Sequence, residues 1–232
     1  MKKYKFLLFD ADYTLLDFDA DMNAAFEANY KHMELDKQLP YSNEILLKYE
    51  EFNNKWWDKF EKNECTQPEL FVGRFADFIN HYGLNCDPVL LDDSYFSFLG
   101  KYGHCLNGAL EMIKSLSENY DIYIVTNAKA SLQKLRLENS GLLPYIKNYF
   151  ISETIGFAKP SEKYFNYVFE QISLTDKAEA IIIGDKLSSD ILGAVNAGID
   201  SIWYNPAHLP NPENIPSTYE VDSFEKIMEI LG

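Results

Sequence analysis

Phe6-Leu7-Leu8-Phe9-Asp10-Ala11-Asp12-Tyr13-Thr14-Leu15 is the stretch that decides the fold. Its unbroken apolar run predicts a strand covered on both faces, because a strand with one wet face would alternate apolar and polar residues. The run stops at Asp10, which leaves a carboxylate at the strand's carboxyl end. A strand this apolar must lie inside a sheet, and the remainder of the chain supplies the partners.

Beyond Gly103 the pattern alternates. The spacing predicts a helix over 108–119, a strand over 122–125, a helix over 131–140 and a strand over 148–152. A helix over 161–171, a strand over 180–183, a helix over 189–197 and a strand over 200–204 follow. A Pro- and Asn-rich loop over 206–216 then leads to a last helix over 223–231. Strands separated by single helices imply right-handed crossovers and a parallel sheet. Residues 18–100 differ: Phe52, Trp56 and Phe60, then Phe71, Phe75 and Phe78, recur at helical spacing, with no strand among them. The expected fold class is therefore α/β, a doubly wound parallel-sheet core built from residues 1–17 and 103–232. An all-α unit of four or so helices, residues 18–102, is inserted after the first strand.

The chain has 232 residues, 47% hydrophobic and 15% aromatic, enough for a packed core. Its net charge is -15, from 36 acidic against 21 basic residues. Such a surface repels polyanions and argues against nucleic acid or an anionic membrane as partner. A small anionic substrate remains compatible, provided a metal and a lysine reverse the local potential. Cys65, Cys86 and Cys105 are far apart and show no C-x-x-C spacing, which points to reduced thiols rather than disulfides or zinc. The apolar run at the start is too short for a signal peptide, and no run reaches membrane-spanning length. A cytoplasmic location is the expectation; the oligomeric state is not legible.

In open parallel sheets, ligands sit beyond the carboxyl ends of the strands. The polar residues at those ends are Asp10, Asp12 and Thr14; Thr126 and Asn127; Lys159, ahead of the helix near Ser161; and Asp185, with Asp190 five residues on. Taken singly, Thr126 or Asp190 reads as an ordinary cap or loop residue. Taken together, carboxylates converging at one sheet edge resist joint ionisation unless a cation joins them. A hard cation with oxygen ligands meets that need, and Mg²⁺ suits a site that also receives a phosphate.

The motifs around these residues resemble those of the haloacid dehalogenase superfamily. Phe6 to Leu15 resembles its first motif, Ile124-Val125-Thr126-Asn127 its second, Lys159-Pro160 its third and Ile183-Gly184-Asp185 through Asp190 its fourth, all in the family's order. The resemblance implies Asp10 as nucleophile, forming an aspartyl-phosphate, and Asp12 as general acid and then general base. It implies Thr126 and Lys159 as holders of the phosphoryl oxygens. Mg²⁺ would be bound by the Asp10 carboxylate, the Asp12 backbone carbonyl and Asp185, with Asp190 in support. Asp12 selects phosphoryl transfer over 2-haloacid dehalogenation, because a departing halide needs no proton whereas an alkoxide does.

The helical insertion is similar to the family's first-type cap. With Leu15 to Phe18 and Ser189 to Asp200, its spacing resembles the bacterial pyrimidine nucleoside 5′-monophosphatases. The expected substrate is then a small phosphorylated metabolite, foremost a nucleoside monophosphate, with Asn127, Trp57 and Arg74 as candidate substrate contacts. Trp57 can equally be a core residue of the insertion, and Arg74 can equally pair with a carboxylate there. A sugar-phosphate phosphatase, a phosphomutase and a non-catalytic binding protein are the alternatives.

Overall fold

The computed structural model describes residues 4–232 and contains a parallel sheet of β1 (Phe6–Phe9), β2 (Asp121–Thr126), β3 (Asn148–Ile151), β4 (Ala180–Gly184), β5 (Asp200–Tyr204) and β6 (Tyr219–Val221). The spatial order is β3-β2-β1-β4-β5-β6. Leu7 stands beside Ile122 on one side and Ile181 on the other, so β1 occupies the middle of the sheet.

Alternation along the strands explains the apolar runs. Phe6, Leu8 and Ile182 face a layer that includes Tyr164, Phe165 and Val168 of α8 (Glu162–Gln171). Leu7, Phe9, Ile181 and Ile183 face the opposite layer, against Met112 and Ile113 of α5 (Ala109–Ser117) and Phe224 and Ile227 of α10 (Phe224–Leu231). Both faces are thus buried, at roughly 1.5–3 kcal/mol for each large side chain withdrawn from water. The doubly wound parallel core expected from the sequence is the one observed.

Three details depart from expectation. The segment Tyr219–Val221, to which the sequence reading assigns no element, adds to the sheet edge as β6, parallel to β5. Two of its three residues are exposed, so it carries no apolar run to announce it. A short helix, Ser152–Ile155, follows β3 directly. The helix expected from Ser189 starts as a wide π-type turn, Leu187–Ile191, where Ile191 N–H reaches back to Lys186 O at 3.3 Å. The α-helix proper is Leu192–Ala197.

The described chain divides into two compact units, one of Phe18 and the residues before it with Gly103–Gly232, the other Asp19–Tyr102. The second unit is all helical, from α1 (Phe18–His32) through α2 (Asn43–Glu61), α3 (Gln67–Tyr82) and α4 (Pro88–Leu99). Gly73 allows α2 and α3 to approach closely, since a Cβ there would lie 2.3 Å from the Trp56 ring. Tyr49 stacks on Phe26 at 4.3 Å and on Phe75 at 5.1 Å between ring centroids. Trp57 is half-buried and edge-on to Phe60 and Phe71, which places it among the unit's own aromatics.

Arg74, on α3, lies inside the helical unit. It is only 2% exposed, and it donates to Asn53 Oδ1 at 2.8 Å, Asp92 Oδ1 at 3.0 Å and Phe71 O at 3.3 Å. The rings of Phe71, Phe75, Tyr95 and Phe96 surround its guanidinium. Of the two roles open to it, pairing inside the helical unit is the one realised, and its donors face protein acceptors rather than a substrate. Among the described residues no helix is long and apolar enough to cross a membrane.

Breaking this pair from one side should leave a buried uncompensated charge. Asp92→Ala is expected to lower unfolding free energy by about 3–5 kcal/mol in urea denaturation, and Arg74→Met with Asp92→Leu to recover most of that loss.

Candidate active site

The order of the strands places a topological switch between β1 and β4, whose carboxyl ends lie side by side. Asp10 continues the ladder one step past β1, donating its N–H to Ile183 O at 2.9 Å. The chain then folds tightly: Leu15 and Leu16 both donate to Ala11 O, and Tyr13 N–H donates to Leu16 O. Tyr13 sits at φ 62°, a left-handed conformation unfavourable for a bulky side chain. Strain of this kind, on the order of 1–3 kcal/mol, persists only where its surroundings enforce it. The loop turns Thr14 fully inward, where it donates to Asp185 Oδ1 at 3.0 Å.

Lys159 ties the site together. Its Nζ donates to Asp10 Oδ1 at 2.6 Å, Asp190 Oδ1 at 2.6 Å and Val125 O at 2.8 Å. Its backbone is clamped by Asn127, which donates through Nδ2 to Lys159 O at 3.0 Å and accepts from Lys159 N–H at 2.9 Å. Asp190 is fully buried, with its second oxygen taking the Lys186 N–H at 3.1 Å. Gly184 makes room for it: a Cβ at that position would lie 2.4 Å from the Asp190 carboxyl group. The wide turn after Lys186 and the bare glycine are thus two halves of one arrangement.

The electrostatics are dominated by desolvation. Burial pushes the Asp10 carboxyl well above the usual range; Lys159 opposes this, while Asp190 and Asp185 add to it. Asp185 is pushed up to about 7, first by burial and then by Asp190, with the Thr14 hydroxyl and Lys159 pulling the other way. Burial would strip the proton from Lys159, but Asp10 and Asp190 outweigh it and hold the ammonium charged.

Asp10, Asp185 and Asp190 each present a carboxylate oxygen within 4.8 Å of the others. One ammonium against three carboxylates leaves excess negative charge, and the donors are all hard oxygens. This set fits a hard divalent cation such as Mg²⁺.

The sequence-derived residues therefore fall into three groups. Asp10, Lys159, Asp185 and Asp190 meet at one point. Thr126, 2% exposed, ends β2 beside β1, and Asn127 is spent on the Lys159 backbone. The Asp12 side chain stands apart from the three-carboxylate cluster and pairs with Arg136 Nη1 at 2.5 Å. Arg136 and the Thr14–Asp185 bond were not anticipated. One signal for Arg136 was present: the chain has only two arginines, Arg74 and Arg136, among 21 basic residues.

The sequence profile of the haloacid dehalogenase-like hydrolases matches residues 7–204. The chain belongs to this family. The HAD-hydrolase YfnB of Bacillus subtilis is 39% identical over 100% of this chain and 97% of its own length. The crystal structure of YfnB bound to magnesium superposes with a TM-score of 0.92 at 38% identity, covering 100% of both chains. The pyrimidine 5′-nucleotidase PynA of Streptococcus pneumoniae is 38% identical over 98% of this chain and 95% of that one. The pyrimidine 5′-nucleotidase YjjG of Escherichia coli is 32% identical over 99% and 98% respectively.

Because Asp185 must shed its proton to ligate a cation, this hydrolase should bind Mg²⁺ more weakly as pH falls below about 7. Calorimetry should show the dissociation constant rising as pH falls below about 7, with protons released on binding. Gly184→Ala should displace Asp190 and weaken Mg²⁺ binding by at least about tenfold at pH 8, with thermal melting to confirm folding.

Proposed function

We propose that this hydrolase is a Mg²⁺-dependent phosphomonoesterase that forms an aspartyl-phosphate on Asp10 and acts on nucleoside 5′-monophosphates, pyrimidine nucleotides foremost. The unit holding the sheet carries the chemistry in this reading. The single observation that carries it is the convergence of the Asp10, Asp185 and Asp190 carboxylates within 4.8 Å of one another, with Lys159 bridging Asp10 and Asp190 and an acid two residues beyond the nucleophile. The names of PynA and YjjG, and the magnesium in the YfnB structure, support the choice of substrate and ion. The free cysteines agree with a cytoplasmic enzyme.

The residues present divide the work. Lys159 holds the Asp10 carboxylate through Oδ1, and in this reading that bond orients it for attack on phosphorus. The same ammonium, with the Thr126 hydroxyl, meets the transferring oxygens and stabilises their charge in a site withdrawn from water. Asp12 gives a proton to the ester oxygen as the P–O bond breaks and Asp10 becomes phosphorylated. The resulting Asp12 carboxylate then takes a proton from the water that attacks the aspartyl-phosphate, which frees phosphate and restores Asp10. Asp10, the Asp12 carbonyl and Asp185 would hold Mg²⁺, with Asp190 behind them, and the ion would neutralise charge on the phosphoryl group.

Purified protein with Mg²⁺ should release phosphate from a panel of monophosphates, with pyrimidine nucleotides among the best. Phosphate release from sugar phosphates alone would overturn the nucleotide assignment, and isomer interconversion without phosphate release would mark a mutase. Asp10→Asn should abolish turnover while circular dichroism stays unchanged. Asp12→Asn should lower kcat for nucleotides by about 10²–10⁴.

A further inference from the structure

Resting on that reading, we propose that Arg136 is a positioning residue that fixes the Asp12 carboxylate for proton transfer. Arg136 lies on α6 (Ala130–Asn139) with a fully buried side chain, whereas the Asp12 side chain is 24% exposed. Its Nη1 donates to Asp12 Oδ1 at 2.5 Å and to Gln133 Oε1 at 3.4 Å. Its guanidinium also covers the Phe18 ring, 5.2 Å from the centroid, and that ring meets Tyr13 at 5.6 Å. Asp12, Arg136, Phe18 and Tyr13 therefore close a ring of contacts across the loop that follows β1.

A partly exposed aspartate on a loop, left unheld, samples several rotamers, and proton transfer needs one oxygen within about 3 Å of the ester oxygen. Holding Oδ1 leaves Oδ2 to carry and deliver the proton, always from the same direction. The contact uses an edge and a face of one planar group together, which a guanidinium offers and an ammonium does not. The chain's usage agrees: lysine supplies the other basic residues, and both arginines are among its most buried side chains. A purely structural ion pair would stabilise the fold without distinguishing one leaving group from another. A positioning residue must distinguish them.

The test compares two esters with the full-length chain and Mg²⁺. A nucleoside 5′-monophosphate expels an alkoxide that needs a proton, whereas 4-nitrophenyl phosphate expels a phenolate that does not. Arg136→Lys should lower kcat/KM for the nucleotide by about 10- to 100-fold and for the aryl ester by less than about threefold. In an Asp12→Asn background, Arg136→Lys should cause no further loss with the nucleotide. Equal losses on both esters, or none on the nucleotide, would overturn the proposal.

A second measurement leaves Arg136 unchanged. In protein labelled with ¹⁵N-arginine, the side-chain Nε region holds two signals, from Arg74 and Arg136. Asp12→Asn should move one of them and leave the other in place; if neither moves, the clamp does not exist in solution. Wild-type protein that cleaves neither ester would sink the phosphatase reading itself, and the arginine signals would still report whether Asp12 is held.

Discussion

The structure depends on one buried balance of charge. A single ammonium, Lys159, is shared by Asp10 and Asp190 at 2.6 Å each, and Asp185 adds a third carboxylate within reach of both. Lys159 and Asp190 are buried and Asp10 and Asp185 partly so, and an unpaired charge withdrawn from water costs several kcal/mol. The neighbourhood is arranged around that constraint. Asn127 holds the Lys159 backbone from both sides, Thr14 donates to Asp185, and the wide turn after Lys186 carries Asp190 over the bare Gly184. The balance is incomplete, because one positive charge faces three acidic groups, and the raised Asp10 and Asp185 carboxyls express the deficit. A site in this state suits a hard divalent cation, whose charge would offset the excess of carboxylates.

The fold delivers these groups because both faces of the sheet are apolar. β1 sends Phe6 and Leu8 to one layer and Leu7 and Phe9 to the other, so it cannot shift by one residue without exchanging its two cores. Register between β1 and β4 is fixed by the same packing, with Phe9 opposite Ile183. Asp10 and Asp185 then emerge within a residue of the same level. The precision of the site is a by-product of the core.

Charged residues divide by geometry as much as by sign. Lysines cover the surface in pairs such as Lys31–Glu27 and Lys226–Asp222, which contribute little individually. The two arginines are buried, each with a carboxylate and at least one ring. A planar cation with several donors can satisfy mixed polar and aromatic surroundings that would leave an ammonium partly unpaired.

Period and composition alone determined the α/β class, the helical insertion and the strands that bear the motifs, because hydrophobic spacing is a local record of which face is buried. Two residues of the three-carboxylate cluster, Asp10 and Asp185, were legible for the same reason: they stand where apolar runs stop. The tertiary structure alone decided what those residues touch. β6 lacked a signal because an edge strand of three residues needs no apolar face, and the turn at Leu187–Ile191 is set by the room beside Gly184. The sequence left Arg74 open between a substrate and a carboxylate and gave Arg136 no role; pairing with Asp92 and with Asp12, 18 and 124 residues away, is a property of contacts that no local pattern encodes.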